Sequence, residues 1–160
     1  APKLESLVKY DPSLRVYFYE PFTLPLEAAS LTGEEAVSLL RTLSGQYETV
    51  IVDVDAGYSP LLRSLLGVVG RIFLVSSGTD SANRRLSRML DTFTVLEKQD
   101  DSSLLSKTQI LYSRFGSAAR RAEEKRVSAL GVIQNYAGAN SAGIAREIGG
   151  RDLFLTLRRS

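Results

Sequence analysis

Two carboxylates at the end of an apolar run are the side chains of this sequence whose types and spacing best suit chemistry. Asp53 and Asp55 follow the run Val50-Ile51-Val52, and Gly57 comes two residues later. An acidic residue at the carboxyl end of a buried parallel strand is a frequent Mg²⁺ contact opposite bound phosphates. An aspartate in this position also often orders a turn or caps a helix. The pattern alone leaves both interpretations open.

The composition excludes several side chains that commonly work beside carboxylates in catalysis. The chain has 160 residues with neither cysteine nor histidine, so it offers no thiol nucleophile, no disulfide and no imidazole base. Any catalysis therefore has to use carboxylates, Lys or Arg, hydroxyls or backbone amides. Apolar residues make up 44% of the chain, enough for one domain with its own core.

The charge and the apolar runs indicate a soluble protein. The net charge of +2 is too small to predict nucleic-acid binding by itself. No apolar run approaches the roughly 20 residues that span a bilayer, and the start of the chain has no signal-peptide pattern. We therefore expect a cytoplasmic protein without stable membrane insertion.

The elements that position the carboxylates alternate between strand and helix. The apolar run at 50–54 lacks polar alternation, which predicts a strand buried on both faces of a parallel sheet. Similar strands are predicted at 72–75, 109–115 and 130–136, with helices at 32–45, 59–70, 86–96 and 141–148. Alternation of this kind predicts an α/β fold, a three-layer sandwich around a mostly parallel sheet.

Helix-capping residues and polar stretches predict where several of these helices begin and where loops lie. Thr32 and Glu35 have the spacing of a capping box, and Ser59-Pro60 is a typical helix start. The polar loop 76–81 either contacts a nucleotide or a partner subunit, or caps the helix after it through Thr79 or Asp80. The charged stretch 118–126 is predicted to be a solvated helix or a loop.

Beyond these elements, the chain is predicted to begin and end with short segments. The first ten residues have an apolar pattern typical of a short helix. Residues 15–20 are predicted to form an aromatic strand bounded by prolines. The stretch 152–157 is predicted to be a last apolar helix or strand.

The order of these segments resembles a known family. Leu-Ser-Gly-Gln-Tyr-Glu-Thr-Val-Ile-Val-Asp, followed by Asp55-Ala56-Gly57, is similar to the Walker-B region of the MinD/ParA-like P-loop ATPases, and most similar to their CpaE-like branch. Gly-Arg-Ile-Phe-Leu-Val at 70–75, Ile-Leu-Tyr-Ser-Arg at 110–114 and Leu-Gly-Val-Ile at 130–133 follow in the family's order. The resemblance covers roughly residues 35 to 157.

The resemblance implies a nucleotide site with ATP and Mg²⁺ as cofactors. By analogy, Asp53 contacts the Mg²⁺ through water, and Asp55, which stands where the family often has proline, is a second catalytic carboxylate or a helix cap. Gly57 lies in the cofactor-binding segment. Ser113 and Arg114 lie where the family holds the adenine, although serine here replaces the usual asparagine.

One part of the family pattern has no counterpart in this sequence. The family begins with a glycine-rich phosphate loop ending in Gly-Lys-Ser/Thr, and the 160 residues contain no Gly-Lys pair. We therefore expect one domain over 1–160 that corresponds to the C-terminal two-thirds of a P-loop ATPase domain without its Walker-A strand. Alone, it is predicted not to hydrolyse ATP. A degenerate, non-catalytic interaction domain on the same scaffold is the alternative.

The resemblance also implies partners. A sheet without its Walker-A strand would have an unpaired edge, which predicts a homodimer or a rearranged sheet. Family members position or assemble cellular machines such as pilus, secretion or partition systems, so protein partners of such a machine are expected. Some bind DNA through basic surface residues, and three arginine-containing clusters allow this here, but a solvated helix face is the simpler interpretation.

Overall fold

The computed structural model describes residues 8–12, 15–20, 26, 30–55, 57–136 and 141–149. The chain divides into two compact units, one formed by residues 31–135 and the other by residues 1–30 together with 136–160. In chain order, the elements are β1 (Val8–Asp11), β2 (Val16–Tyr19), α1 (Gly33–Ser44), α2 (Pro60–Leu66), β3 (Ile72–Ser76), α3 (Asp80–Asp100), β4 (Thr108–Phe115), β5 (Ser128–Gln134) and α4 (Ser141–Gly149).

A three-stranded parallel sheet forms the centre of the larger unit. Its strand order is β3-β4-β5, with Leu74 opposite Ile110 and Tyr112 opposite Val132. These are three of the four parallel strands that the sequence predicts, and the mixed α/β class is confirmed. Strand β3 lies at one edge of this sheet, because among the described residues only β4 pairs with it.

Helix α3 covers one face of the sheet because its apolar residues recur with a helical period. Its buried residues are Leu86, Met89, Leu90, Phe93 and Leu96. They pack with Ile110 and Tyr112 of β4 and with Leu66 of α2 in a single hydrophobic cluster. Spacings of three and four residues place these side chains on one stripe of the helix, which accounts for the packing.

Helices α1 and α2 begin where the sequence predicts. The Thr32 hydroxyl accepts from the Glu35 amide at 3.2 Å, and the Glu35 carboxylate accepts from the Thr32 amide at 3.0 Å, which completes the capping box. Ser59 caps α2, which has Pro60 at its start and ends at Leu66 rather than at the predicted Gly70. The two helices approach closely, since a Cβ on Gly33 would lie 2.2 Å from Oγ of Ser64.

The predicted central strand at 50–54 is wrong. Residues 50–55 form neither strand nor helix, and Ile51 is 88% exposed. The β-branched sequence favours an extended backbone, but a strand also needs a neighbour that accepts and donates its hydrogen bonds. None of the described strands pairs with this run. The segment therefore has the local character of a strand without a ladder.

The smaller unit contains a two-stranded antiparallel hairpin and helix α4. Strands β1 and β2 pair with Tyr10 opposite Tyr17, whose ring centroids lie 4.8 Å apart. The predicted strand at 15–20 and the predicted helix at 141–148 are confirmed. The helical pattern predicted for the first ten residues is wrong at 8–10, which form a strand. Residues 1–7 and the predicted element at 152–157 lie outside the described residues.

Candidate functional site

The two predicted catalytic carboxylates lie on an exposed segment between α1 and α2. Asp53 and Asp55 are both exposed, and neither makes a hydrogen bond or an ion pair with a described residue. The expected setting for Asp53, at the carboxyl end of a buried strand, is absent because 50–54 is not a strand. The side chains are accessible to a ligand, but nothing among the described residues fixes their orientation.

The residues after the carboxylates start helix α2. Gly57 is exposed, and a Cβ built on it would meet nothing within 4 Å. This glycine is therefore not required by close packing here. The Ser59 hydroxyl accepts from the Leu62 amide at 3.1 Å and caps the helix. Asp55 does not cap α2, so the capping alternative for this carboxylate is wrong.

The predicted adenine-contacting pair lies near the end of β4. Ser113 is half-buried, while Arg114 is exposed and has a φ of 55°. A positive φ is unfavourable for arginine, and here it coincides with an irregularity in the β4–β5 register between Tyr112 and Phe115. No hydrogen bond or ion pair in the described part of the chain joins this pair to Asp53 or Asp55.

The loop after β3 is fixed by its own polar side chains. Thr79 caps α3, with its hydroxyl accepting from the Ala82 amide at 3.3 Å, so the capping interpretation of this loop is confirmed. The buried Ser76 hydroxyl accepts from the Gly78 amide at 3.1 Å and donates to Oδ1 of Asn83 at 3.2 Å. These contacts use the polar groups to order the turn.

Gly78 and Asn83 connect this loop to the one after β4. Gly78 has a φ of +76°, and a Cβ there would lie 2.5 Å from the Phe115 ring, so two independent constraints require glycine. The Asn83 amide donates to the Arg120 carbonyl at 2.9 Å, and the Arg120 amide donates to the Gly78 carbonyl at 2.9 Å. Sequence reasoning missed this contact because it joins residues far apart in the chain.

Charged groups fix the end of the loop between β4 and β5. Residues 118–126 form a loop rather than a helix. The Arg126 guanidinium donates to the Glu124 carboxylate at 2.6 Å and 2.8 Å and to Asp91 of α3 at 2.6 Å. These hydrogen bonds lower the pKa of Glu124 to about 2 and raise the pKa of Arg126. Arg126 therefore joins the loop, through Glu124, to helix α3, through Asp91, and we call these three residues the clamp.

A lysine side chain caps the C-terminal end of helix α2. The Lys107 ammonium donates to the carbonyls of Leu66 and Val69 at 2.7 Å and 3.0 Å. The last carbonyls of a helix have no partner within the helix, so this lysine satisfies that of Leu66, and through Val69 it also binds the turn that follows α2. Burial lowers the pKa of Lys107. Its role is structural, and it is not available to bind a phosphate in this arrangement.

The described residues do not provide a metal site by themselves. They contain no group of three or more acidic, histidine or cysteine side chains arranged to hold an ion. Mg²⁺ commonly binds one or two carboxylates together with substrate phosphates, so Asp53 and Asp55 fit such an ion only alongside a phosphate held by other groups. No catalytic step can be derived from these two carboxylates alone.

Comparison with known proteins gives no assignment. No protein-family model matches the sequence, and no curated protein matches it. Within the described ranges, no helix has both the length and the apolar content needed to cross a bilayer.

Proposed function

We propose that residues 31–135 are part of a MinD/ParA-like nucleotide-binding domain of the CpaE-like type, and that a further strand with its phosphate loop completes the sheet. The observation that carries this proposal is an incomplete parallel sheet. Strand β3 has an unpaired edge among the described residues, and the strand-like run at 50–54 is exposed. Both features are explained if one additional strand lies between them.

The order of elements supports this arrangement. The run at 50–54 is followed by α2 and then by β3, and α2 packs into the core on the α3 side of the sheet through Leu66. A strand, a helix and a parallel strand connected in this way almost always form a right-handed crossover in one sheet. A parallel strand at 50–54 would therefore lie on the β3 side and would complete the sheet of the proposed sandwich.

The proposed site would use the carboxylates that are now exposed. Asp53 would hold a Mg²⁺ ion through water, Asp55 would assist, and Gly57 would leave room for the backbone to approach the nucleotide. Ser113 and Arg114 would border the base. ATP and Mg²⁺ would supply the phosphoryl chemistry once the phosphate loop holds the nucleotide. Residues 31–135 would not hydrolyse ATP without it.

A non-catalytic interaction domain is the second candidate. Serine at 113 and aspartate at 55 replace residues that the family pattern uses, and the exposed Asp53 has no supporting contact with a described residue. A domain that has lost the chemistry could still use the open β3 edge to pair with another chain. Either function is compatible with a cytoplasmic homodimer that works with a pilus, secretion or positioning machine, and DNA binding is the weaker option.

Calorimetry with MgATP distinguishes the two candidates. The titration is made with this chain and with a longer version that includes the sequence encoded upstream of residue 1. The nucleotide-binding proposal predicts binding by the longer version alone, and loss of hydrolysis, with binding weakened, in its Asp53→Ala variant. A longer version that folds but does not bind MgATP would leave the interaction domain as the function.

A test of association follows from the same open edge. Light scattering after size exclusion would give the mass of the 160-residue chain over a range of concentrations. A concentration-dependent dimer is expected if β3 pairs with a second copy. A Val75→Lys variant should then be monomeric, because a charged side chain on an edge strand opposes pairing.

A further inference from the structure

Two segments of the larger unit carry a net positive charge greater than that of the whole chain. Residues 76–91 and 113–127 contain eight basic and four acidic residues, a net charge of +4 against +2 for the whole chain. The rest of the chain is therefore net negative. Six arginines in these two segments are exposed and make no ion pair with any described residue: Arg84, Arg85, Arg88, Arg114, Arg120 and Arg121.

Hydrogen bonds of the loop 116–127 bring it next to the first turns of α3, which carry the other arginines. Asn83 at the start of α3 binds the Arg120 backbone, and Asp91 two turns later binds Arg126. The loop 116–127 therefore runs along the first turns of α3, over about 12 Å for the eight residues between these two contacts. Arg84 and Arg88 lie on the same stripe of the helix as Asp91, because they precede it by seven and three residues.

Two of the four acidic residues in these segments already bind an arginine. Asp91 and Glu124 are bound by Arg126. Asp80 and Glu123 remain exposed. A nucleic-acid strand carries a phosphate at every residue, so it would bring its charges against these two carboxylates as well. A protein segment with spaced acidic residues can place a carboxylate at each arginine and a neutral group elsewhere.

The spacing of the arginines indicates the form of that segment. Arg84 and Arg88 are about 6 Å apart along the helix axis. In an extended peptide, alternate side chains lie on one side about 6.6 Å apart. Carboxylates at alternate positions therefore match the two guanidinium groups, and arginine binds carboxylates through two parallel hydrogen bonds.

We infer that the surface formed by Arg84, Arg88, Arg120 and Arg121 binds an extended acidic segment of a partner protein that has carboxylates at alternate positions. The loop and helix are already fixed by Asn83, Gly78 and Arg126, so little ordering of the backbone is needed on binding. This inference does not rest on nucleotide binding.

The test is fluorescence anisotropy with a labelled peptide of ten alternating Glu and Ser pairs. A peptide of the same composition built from Glu-Glu-Ser-Ser repeats is the reference, since its same-side carboxylates are about 13 Å apart. The Arg84→Gln/Arg88→Gln variant is compared with Arg41→Gln/Lys98→Gln, which removes the same charge from exposed positions outside the surface. Circular dichroism confirms that both variants fold.

The proposal predicts saturable one-to-one binding of the alternating peptide, weaker binding of the reference peptide, and about a tenfold loss in the Arg84→Gln/Arg88→Gln variant alone. Equal losses in the two variants would overturn it, because any basic group would then serve. Equal binding of the two peptides would overturn the spacing. Tighter binding of a 20-base-pair DNA duplex, lost in the same variant, would make this a nucleic-acid surface instead.

Discussion

Strand β4 and the segment 50–55 are both predicted from the sequence to be buried strands, but their environments are opposite. Ile110 in β4 is 2% exposed, and Ile51 is 88% exposed. Strand β4 has a hydrogen-bonded neighbour on each side, β3 and β5, and a helix over one face. The segment 50–55 has no described strand beside it. The difference shows that a strand-forming sequence needs a hydrogen-bonded partner strand, and a layer that covers it, before its side chains are buried.

The largest expected loss of stability is that of Ile110→Ala, with Ile51→Ala as its matched control. Ile110→Ala should lower the free energy of unfolding by about 2–5 kcal/mol, because it removes methyl groups from the buried cluster under α3. Ile51→Ala should change it by less than about 0.5 kcal/mol, because the side chain is already in water. Urea unfolding of the two variants checks this. Similar losses in both would mean that 50–55 is packed in solution, and the comparison would fail.

Removing the hydroxyl of Tyr112, in the same strand, should lower the free energy of unfolding by a smaller amount. Its ring is 1% exposed, and its hydroxyl accepts from the Ala122 amide at 2.7 Å. Tyr112→Phe leaves this amide without its partner and should cost about 1–3 kcal/mol. Tyr58→Phe, in the segment before α2, removes a hydroxyl from a ring that is 50% exposed and should cost less than about 0.5 kcal/mol. If the Tyr112 variant were as stable as the parent, the hydroxyl would not be holding the 116–127 loop.

The Glu124 carboxylate should make the stability of the folded chain depend on pH. Arg126 lowers the pKa of Glu124 to about 2, below its value of 4.5 in an unfolded chain. The folded state therefore gains stability from Glu124 above about pH 4.5 and loses it as the pH falls towards 2. Because part of this clamp faces solvent, we expect a contribution of roughly 1 kcal/mol at neutral pH.

Two variants isolate this contribution. Glu124→Gln should lose it and flatten the fall in stability between pH 5 and pH 2.5, as measured by thermal unfolding, relative to the parent. Asp53→Asn, which removes an exposed carboxylate that makes no ion pair or hydrogen bond with a described residue, is the matched control and should follow the parent curve. A Glu124→Gln curve that is parallel to that of the parent would exclude the clamp as a source of acid sensitivity.

The sequence predicted what depends on nearby residues. The Thr32 and Glu35 capping box, the Ser59 cap and the apolar stripe of α3 are set by residues three or four positions apart, and all three are observed. Strands β3 and β4 also appear where predicted, because each has a partner.

The missed features depend on distant residues. The environment of Asp53 was predicted from a strand that forms only if another strand lies beside it. The contact of Gly78 with the Phe115 ring and the positive φ of Arg114 arise where two loops meet, and no local pattern indicates them. The candidate site residues could therefore be named from the sequence, but their arrangement could not.

Hydrogen exchange at the amides of residues 51–55 tests the central claim most directly. In the 160-residue chain, we predict exchange close to the unfolded rate, while the amides of 109–113 in β4 remain protected. In the longer version that includes the upstream sequence, the 51–55 amides should become protected as well, because they would join a ladder. Protection of 51–55 in the 160-residue chain, or its absence in a folded longer version, would contradict the account of an incomplete sheet.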